Sequence, residues 1–335
     1  MPVSLLFVIG SPRSGTTLLE RMLDAHPAVQ GGPEPHLLTP LAHLGVWNQV
    51  DKAPYDHVLA AESQKLFVSK LPNGEEDYWK ACRAYCNVLY GQYMAGSAAR
   101  LCLDKTPAYA LILPFVAKVF PDANYVVLTR HPAAIFASYA NSFFGGDYAA
   151  AQAYNPILNR YAPALAAFLR QDAVPFIHVR YEDLVADPAS GFRAICDHLG
   201  IPFEESAIAY GASRRTDEGG LGDPIGVNQH DRPTTASVDK WARELAADPA
   251  KRDFVRGIVD SLDPADLATL GYPPESLWAP LEAAGGATQP KPPRLSWYRI
   301  QRKLIVGLRG QAQRRPLFRK ALQRARLVCD VLLRE

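Results

Sequence analysis

The sequence has few cysteines, five among 335 residues, and they form no C-x-x-C pair and no Cys/His zinc pattern. This scarcity argues against a disulfide framework or a zinc site, and it predicts buried free thiols in a reducing compartment. Cys82 and Cys86 lie four residues apart on a predicted helix, where core packing is the favoured interpretation. The other cysteines are Cys102, Cys196 and Cys329.

Long hydrophobic runs are missing as well. No apolar stretch approaches the length that crosses a bilayer, and no basic n-region or cleavage site precedes the first strand near Val3. We therefore expect a soluble, cytoplasmic protein. No internal repeat or heptad run is evident, and the 48% of hydrophobic residues can bury a large core, so one large α/β domain is the default expectation.

Net charge is small, at +2, but the two signs are unevenly distributed. Residues 286–335 hold 13 Lys and Arg against 2 Asp and Glu, so the body of the chain is acidic and its tail is strongly basic. An Ala/Gly/Pro-rich stretch precedes the tail. We predict a main domain over residues 1–281, a linker over 282–294 and a basic helical extension over 295–335.

The first motif is a buried strand that turns sharply into a helix, between Phe7 and Leu19. Gly10 and Gly15 permit positive φ and a close approach of the backbone to a ligand. The helix that begins near Gly15 directs N–H groups and a positive dipole at the same pocket. The pattern predicts a phosphate-binding loop, with a plain strand-to-helix packing turn as the alternative.

This loop departs from the Walker A pattern, because Thr16 and Thr17 follow Gly15 where a nucleoside triphosphatase has Lys and then Ser or Thr. The positive charge lies inside the loop at Arg13, whose planar guanidinium suits two oxygens of one tetrahedral group. The loop resembles the S/T-x-R/K-S-G-T-T loop of the sulfotransferase superfamily, in particular a bacterial branch similar to the tyrosylprotein and carbohydrate sulfotransferases. The resemblance extends over about residues 3–245.

Polar residues follow other predicted strands where each strand ends. They are Glu34 after the strand 28–30, Lys105 after 101–103, Arg130 after 125–129, and Arg180 and Tyr181 after 176–179. Strands alternating with helices predict an α/β fold with a P-loop-like central parallel sheet flanked by helices, whose carboxyl ends meet at one edge. His178 lies inside an apolar run, and we interpret it as a core histidine.

The resemblance implies the donor 3′-phosphoadenosine 5′-phosphosulfate (PAPS), the product adenosine 3′,5′-bisphosphate, and no metal. In the family the loop holds the 5′-phosphosulfate, and an arginine with a serine eight residues later holds the 3′-phosphate. Here that pair is Arg130 and Ser138. The predicted PAPS-binding residues are Arg13, Ser14, Gly15, Thr16, Thr17, Arg130, Ser138, Tyr181 and Lys240.

The resemblance also implies in-line sulfuryl transfer in which Glu34 takes the proton of an acceptor hydroxyl. Arg13 and Lys105 then stabilise charge on the bridging and leaving phosphate oxygens. Many cytosolic relatives use a histidine base, and His36 is the reserve candidate. The acceptor stays open, since a sugar, a lipid, a peptide or a small metabolite can each present a hydroxyl.

Two other functions stay open. A P-loop nucleotide-dependent kinase would need ATP and Mg²⁺, and the Thr16 substitution argues against it. A catalytically idle nucleotide-binding scaffold would need neither Glu34 nor Lys105. No nucleic-acid partner is predicted.

Two segments outside the motifs remain. Residues 211–237 are polar and rich in glycine, which predicts a functional loop. The basic tail carries two sets of apolar residues at helical spacing, separated by Pro316. The favoured interpretation is a helical hairpin packed on the body or on a second subunit of a homodimer, and the alternative is contact with an acidic partner or membrane surface.

Overall fold

A sheet of five parallel strands, in the order β2-β3-β1-β4-β5, forms the centre of the fold. The computed structural model describes residues 4–31, 34, 38–42, 64–171, 174–213 and 231–284. The strands are β1 (Ser4–Gly10), β2 (Val29–Gln30), β3 (Leu101–Asp104), β4 (Asn124–Thr129) and β5 (Phe176–Arg180). The predicted central parallel sheet is therefore confirmed, and every strand proposed from the sequence is present.

Helices flank this sheet. They are α1 (Thr16–Asp24), α2 (Leu38–Ala42), α3 (64–68), α4 (Glu75–Tyr93), α5 (Leu113–Val119), α6 (Pro132–Phe144), α7 (Tyr148–Tyr154), α8 (Ile157–Leu169), α9 (Tyr181–Ala186), α10 (Pro188–Leu199), α11 (Lys240–Ala247), α12 (Pro249–Val259), α13 (Pro264–Thr269) and α14 (Ala279–Ala283). Short 3-10 helices lie at Pro107–Leu111, Glu205–Ile208, Tyr210–Ser213 and Thr235–Ser237.

The two faces of the sheet belong to two cores, because successive side chains of a strand point to opposite faces. Phe7 and Ile9 of β1 pack into the core that contains residues of α4, α5, α6 and α8. Leu6 and Val8 pack into the core that contains residues of α1, α9 and α10. Burial on both faces explains why β1 is apolar from Leu5 to Ile9.

Strand register sets the depth at which each strand ends. Gly10, the last residue of β1, is opposite Leu128 of β4. Phe7, three residues earlier in β1, is opposite Asp104, the last residue of β3. Lys105 therefore leaves the sheet below the loop that follows β1, whereas Arg130 emerges beside it.

One predicted helix, over residues 108–120, is divided in the structure. A 3-10 helix occupies Pro107–Leu111, and α5 begins at Leu113 after Ile112, whose backbone lies outside helical geometry at φ −129° and ψ 22°. Pro114 has no N–H to donate to the preceding turn, so it fits only the first turn of a helix. The apolar spacing correctly predicted helical structure over this segment, but it did not predict the break.

Cys82, Cys86, Cys102 and Cys196 are buried free thiols, as expected.

Several other predicted features lie partly or wholly outside the described residues. The helix α14 ends at Ala283, within the first residues of the predicted linker. The rest of the linker, the basic extension with Cys329, and residues 214–230 of the polar loop lie outside the described part. Within the described ranges, no helix is long and apolar enough to cross a membrane.

We expect opposite effects of the same substitution at two glycines. A methyl group at Gly10 would lie 2.6 Å from Ser14 Oγ and 2.8 Å from the Leu128 carbonyl oxygen, so Gly10→Ala should lower the free energy of unfolding by about 1–3 kcal/mol. Gly257, exposed in the last turn of α12, has open space around it, so Gly257→Ala should raise that free energy by about 0.4–1 kcal/mol. Urea unfolding of both variants measures the difference. Equal effects would contradict this account of Gly10.

Candidate active site

The loop after β1 combines two residues in the left-handed region of backbone space. Arg13 has φ 72° and is the one non-glycine residue with positive φ in the described part of the chain. Gly15, the N-cap of α1, has φ 101°. The Ser14 N–H donates to the Ser11 carbonyl oxygen at 3.1 Å, which closes the turn. A non-glycine residue at positive φ is strained, and such strain is typical of ligand-binding loops.

Gly15 is required for a second reason. A side chain there would collide with the ring of Tyr181, the first residue of α9. Tyr181 is buried, so the loop rests on an aromatic ring that follows β5. The N-terminal turn of α1 therefore points into the same edge of the sheet as Tyr181 and Arg130.

Arg130 joins the loop to a later segment. Its Nη1 donates to the Arg13 carbonyl oxygen at 3.1 Å, and its Nη2 donates to the Ser237 carbonyl oxygen at 3.0 Å. Its guanidinium lies 4.3 Å from the centre of the Tyr181 ring, in a cation–π contact. Burial lowers the pKa of Arg130 from its ordinary value.

Two buried polar atoms in and beside the loop have no hydrogen-bond partner among the described residues. They are Ser14 Oγ in the loop and Arg130 Nε beside it. A buried donor without a partner costs free energy, so such atoms call for an explanation. A hydroxyl and a guanidinium nitrogen on either side of a helix N-terminus suit an anionic ligand.

The Arg13 side chain lies against α6. Its Nε donates to Ser138 Oγ at 3.2 Å, and its guanidinium carbon lies 5.9 Å from the centre of the Phe143 ring. Ser138 is predicted to hold the 3′-phosphate together with Arg130, and in the structure its hydroxyl contacts the loop arginine. Through these contacts the two anion motifs of the sequence meet in one site.

A buried lysine lies between two carboxylates on the other side of the loop. Lys105 Nζ is 2.6 Å from Glu34 Oε1 and 3.6 Å from Glu20 Oε2. Only 2% of the Lys105 side chain is exposed, against 13% for Glu34 and 12% for Glu20. Burial raises the pKa of Glu20, and the nearby Lys105 ammonium lowers it by a smaller amount.

A buried aspartate fixes the residues on both sides of this ion pair. Asp104 accepts hydrogen bonds from Tyr90 Oη at 2.6 Å, from Thr106 Oγ1 at 3.0 Å and from Tyr109 Oη at 3.2 Å. The Tyr109 hydroxyl oxygen in turn accepts from the Leu38 N–H at 3.0 Å. Asp104 thus connects the end of β3 with α4 and with the start of α2, four residues after Glu34.

Comparison with known proteins decides the family. The model of the sulfotransferase family matches residues 6–205, which is more than half of the chain. The chain belongs to the sulfotransferase family. The match covers β1 to β5 and the residues that follow each strand, so it includes the loop, both carboxylates, Lys105 and Arg130.

Individual relatives cover different shares of this sulfotransferase. Nodulation protein NoeE of Sinorhizobium fredii is 33% identical over 137 residues, which are 41% of this chain and 31% of NoeE. Protein-tyrosine sulfotransferase 1 of Danio rerio is 26% identical over 292 residues, 81% of this chain and 73% of that protein. The solved sulfotransferase domain of the Synechococcus PCC 7002 olefin synthase is 28% identical with a TM-score of 0.50, over 78% of this chain and 96% of that domain.

The remaining predicted site residues of the sulfotransferase differ in burial and in whether they contact the loop. Thr16 is buried and Thr17 half-buried in the first turn of α1. Lys240 is exposed at the start of α11, three residues after Ser237, and within the described residues it takes no part in the contacts between the loop and Arg130. His36, the reserve base, lies outside those residues. Arg180 is directed elsewhere, since its guanidinium lies 4.9 Å from the Tyr272 ring.

Sequence reasoning missed two buried acids next to Lys105, which are Glu20 and Asp104. Glu20 lies on the buried side of α1, and Asp104 ends an apolar strand, so each places a carboxylate where an apolar residue is usual. Acidic residues are rarely buried without a partner. That pattern is the signal that could have identified them.

The next residue, His131, holds the turn that contains Arg130 in place. His131 Nε2 lies 2.8 Å from the Leu277 carbonyl oxygen, and its ring stacks on Trp241 with 4.2 Å between centres. Glu182 accepts hydrogen bonds from the His131 N–H at 3.0 Å and from Tyr272 Oη at 2.6 Å. Burial lowers the pKa of His131 to about 4.

We expect His131 to make the free energy of unfolding decrease as the pH is lowered from about 6.5 to about 4. In that window the unfolded histidine binds a proton and the buried one does not, so acid favours the unfolded chain. The full shift corresponds to roughly 3 kcal/mol, from about 1.4 kcal/mol per pKa unit. Urea unfolding from pH 4 to 7 should show a shallower pH dependence for His131→Gln than for the unmodified protein. Parallel curves would contradict this.

Proposed function

We propose that this sulfotransferase transfers the sulfuryl group of PAPS to a hydroxyl acceptor, with Glu34 as the general base. The observation that carries the proposal is the contact of Arg130 Nη1 with the Arg13 carbonyl oxygen at 3.1 Å, which places two cationic side chains beside one helix N-terminus. Ser14 Oγ and Arg130 Nε, which have no hydrogen-bond partner among the described residues, supply buried donors at the same place. These residues fit a nucleotide with phosphate groups at both ends.

The chain would hold the two ends of the nucleotide differently. The phosphosulfate end would be bound by the N–H groups in the first turn of α1 and by nearby side chains, which are Arg13, Ser14, Thr16 and Thr17. Arg130 and Ser138 suit the 3′-phosphate, since the Ser138 hydroxyl accepts from Arg13 and still has its own proton to donate. Tyr181 supports Arg130 through the cation–π contact, and Lys240, exposed at the start of α11, is a further candidate contact.

PAPS supplies the sulfuryl group and a phosphate leaving group. Glu34 takes the proton as the acceptor O–H bond breaks, the acceptor oxygen bonds to sulfur, and the bond from sulfur to the bridging oxygen breaks. Lys105 and Arg13 stabilise the charge left on the phosphate oxygens. The Glu34–Lys105 distance of 2.6 Å supports this division of roles, because base and cation lie side by side.

Relatives with tyrosine in their names support a hydroxyl acceptor, and one tyrosine of this chain lies close enough to the proposed base to sense its charge. The charge of Glu34 acts on Tyr161 of α8, whose pKa is raised chiefly by burial. We infer that the acceptor hydroxyl approaches Glu34 from the side of α8. Screening hydroxyl acceptors with PAPS and measuring product masses would identify it.

We expect adenosine 3′,5′-bisphosphate to bind in the presence of EDTA far more tightly than ATP, and Arg130→Ala to weaken its binding by roughly 1.5–3 kcal/mol through loss of a charge-assisted contact. For 5′-AMP, which lacks the 3′-phosphate, the same variant should bind almost as well as the unmodified protein. Isothermal calorimetry measures both ligands.

Arg180→Ala is the matched control for Arg130→Ala, since Arg180 contacts Tyr272 and Asp183 instead of the loop. It should leave the affinity unchanged. Equal losses for the bisphosphate and 5′-AMP in Arg130→Ala, or comparable affinity for ATP, would contradict the assignment of the 3′-phosphate to Arg130.

We expect Glu34→Gln to lower turnover by roughly 10²–10⁴-fold, because the amide cannot take the acceptor proton. The affinity for adenosine 3′,5′-bisphosphate should stay nearly constant. Steady-state rates at saturating PAPS and acceptor give the turnover, and Glu275→Gln, an exposed site, is the control. Near-normal turnover, with chemistry rate-limiting, would remove Glu34 from the role of base.

A further inference from the structure

The Lys105 ammonium has two carboxylate neighbours and almost no contact with solvent. Glu34 Oε1 is 2.6 Å away and Glu20 Oε2 is 3.6 Å away, and 2% of the Lys105 side chain is exposed. The three residues come from different parts of the chain: Glu20 from α1, Glu34 from the segment after β2, and Lys105 from the end of β3. One lysine thus lies within ion-pair distance of two acids.

The proposed reaction changes the charge of one of those acids. When Glu34 takes the acceptor proton, it becomes a neutral carboxylic acid, and Lys105 loses the ionised group at 2.6 Å. A buried ammonium without an ionised partner is costly, and it can respond by giving up its own proton. Lys105 is needed as a cation at that moment, because the leaving phosphate gains charge in the same step.

Glu20 is the residue placed to prevent this loss. It lies one turn after Thr16 on α1, so the helix that forms the phosphate loop also fixes its position. The charged groups around Glu20 are Lys105 at the end of β3, Arg21 and Asp24 on its own helix, and Glu34. Tyr161 of α8 is the further titratable group that senses Glu34.

We propose that Glu20 is a positioning residue that keeps the Lys105 ammonium paired and charged while Glu34 holds the acceptor proton. The two carboxylates alternate as the ionised partner of one lysine. The reaction step in this statement rests on the proposed function, but the sharing of Lys105 by two acids does not.

A double-mutant cycle on folding tests the sharing without any ligand. The variants are Glu20→Gln, Glu34→Gln and the pair together, and urea unfolding at pH 7 gives each folding equilibrium constant. Either carboxylate alone can still pair with Lys105, so the single changes should have modest effects. The double variant should lower the folding constant at least tenfold beyond the product of the single effects.

Two controls separate this coupling from general damage. In a Lys105→Met background the excess loss should vanish, because no ammonium remains to be paired. The second control combines Glu34→Gln with Glu244→Gln, because Glu244 pairs with a different lysine, Lys251, at 2.7 Å. The folding constant of this double variant should fall by the product of the two single effects. Effects of Glu20→Gln and Glu34→Gln that multiply without excess, or an excess that persists in Lys105→Met, would overturn the sharing. If the double variant does not fold while both single variants do, restoration of folding by Lys105→Met supports it, and lack of restoration counts against it.

The pH dependence of turnover tests the role in the reaction. In Glu20→Gln the alkaline limb should move to lower pH by at least one unit, because in the complex with substrates the Lys105 ammonium then has one ionised carboxylate beside it instead of two and loses its proton more readily. Glu20→Asp should restore most of that shift, and the KM for PAPS should change less than threefold in both variants. An unchanged alkaline limb in Glu20→Gln would overturn the role of Glu20.

The two experiments fail separately. If the protein does not transfer sulfuryl groups from PAPS, the rate measurement has no signal, whereas the folding cycle still reports whether two acids share Lys105. If transfer takes place and the cycle shows no coupling, the function stands and only the role of Glu20 is rejected.

Discussion

The parallel pairing of β1 with β3 on one side and β4 on the other is the constraint on which the rest of the site depends. Because β3 ends opposite Phe7 while β4 runs past the end of β1, Lys105 leaves the sheet at a buried level and Arg130 leaves it beside the loop. The chain passes from one side of β1 to the other between β3 and β4, which is where open parallel sheets bind ligands. A shift of one residue in either pairing would move a charged side chain to the other face of the sheet.

Charges that are buried by this arrangement are each held by several partners. Asp104 accepts three hydroxyl hydrogen bonds, and Lys105, the next residue, lies between two carboxylates. Removal of one partner of a buried charge is far more destabilising than the pair is stabilising. The hydroxyls around Asp104 therefore keep β3, α4 and the start of α2 in place, and with them the residues on both sides of the Glu34–Lys105 pair.

The loop and its neighbour Arg130 combine backbone strain with two buried donors that lack a partner in the described part of the protein. Arg13 holds a positive φ, and Ser14 Oγ and Arg130 Nε lie buried without partners in the described part of the protein. A folded structure retains such features where the surroundings fix them, and here Tyr181 behind Gly15 and Ser138 beside Arg13 do so. Donors that are aligned before a charged ligand arrives need little reorganisation when charge develops, which suits a transfer reaction between anionic groups.

The sequence by itself determined the parallel sheet and the charged residues at its carboxyl edge, because apolar runs, glycine turns and the residue after each strand are local patterns. It did not register the division of the helix at Pro114, since apolar spacing continues through a proline that breaks the hydrogen bonding. Only the tertiary structure decided which charged residues meet: Lys105 with both Glu34 and Glu20, Ser138 with Arg13 across 125 positions of sequence, and Lys240 left exposed. Those contacts follow from strand register and helix packing, which bring together residues that no local pattern relates.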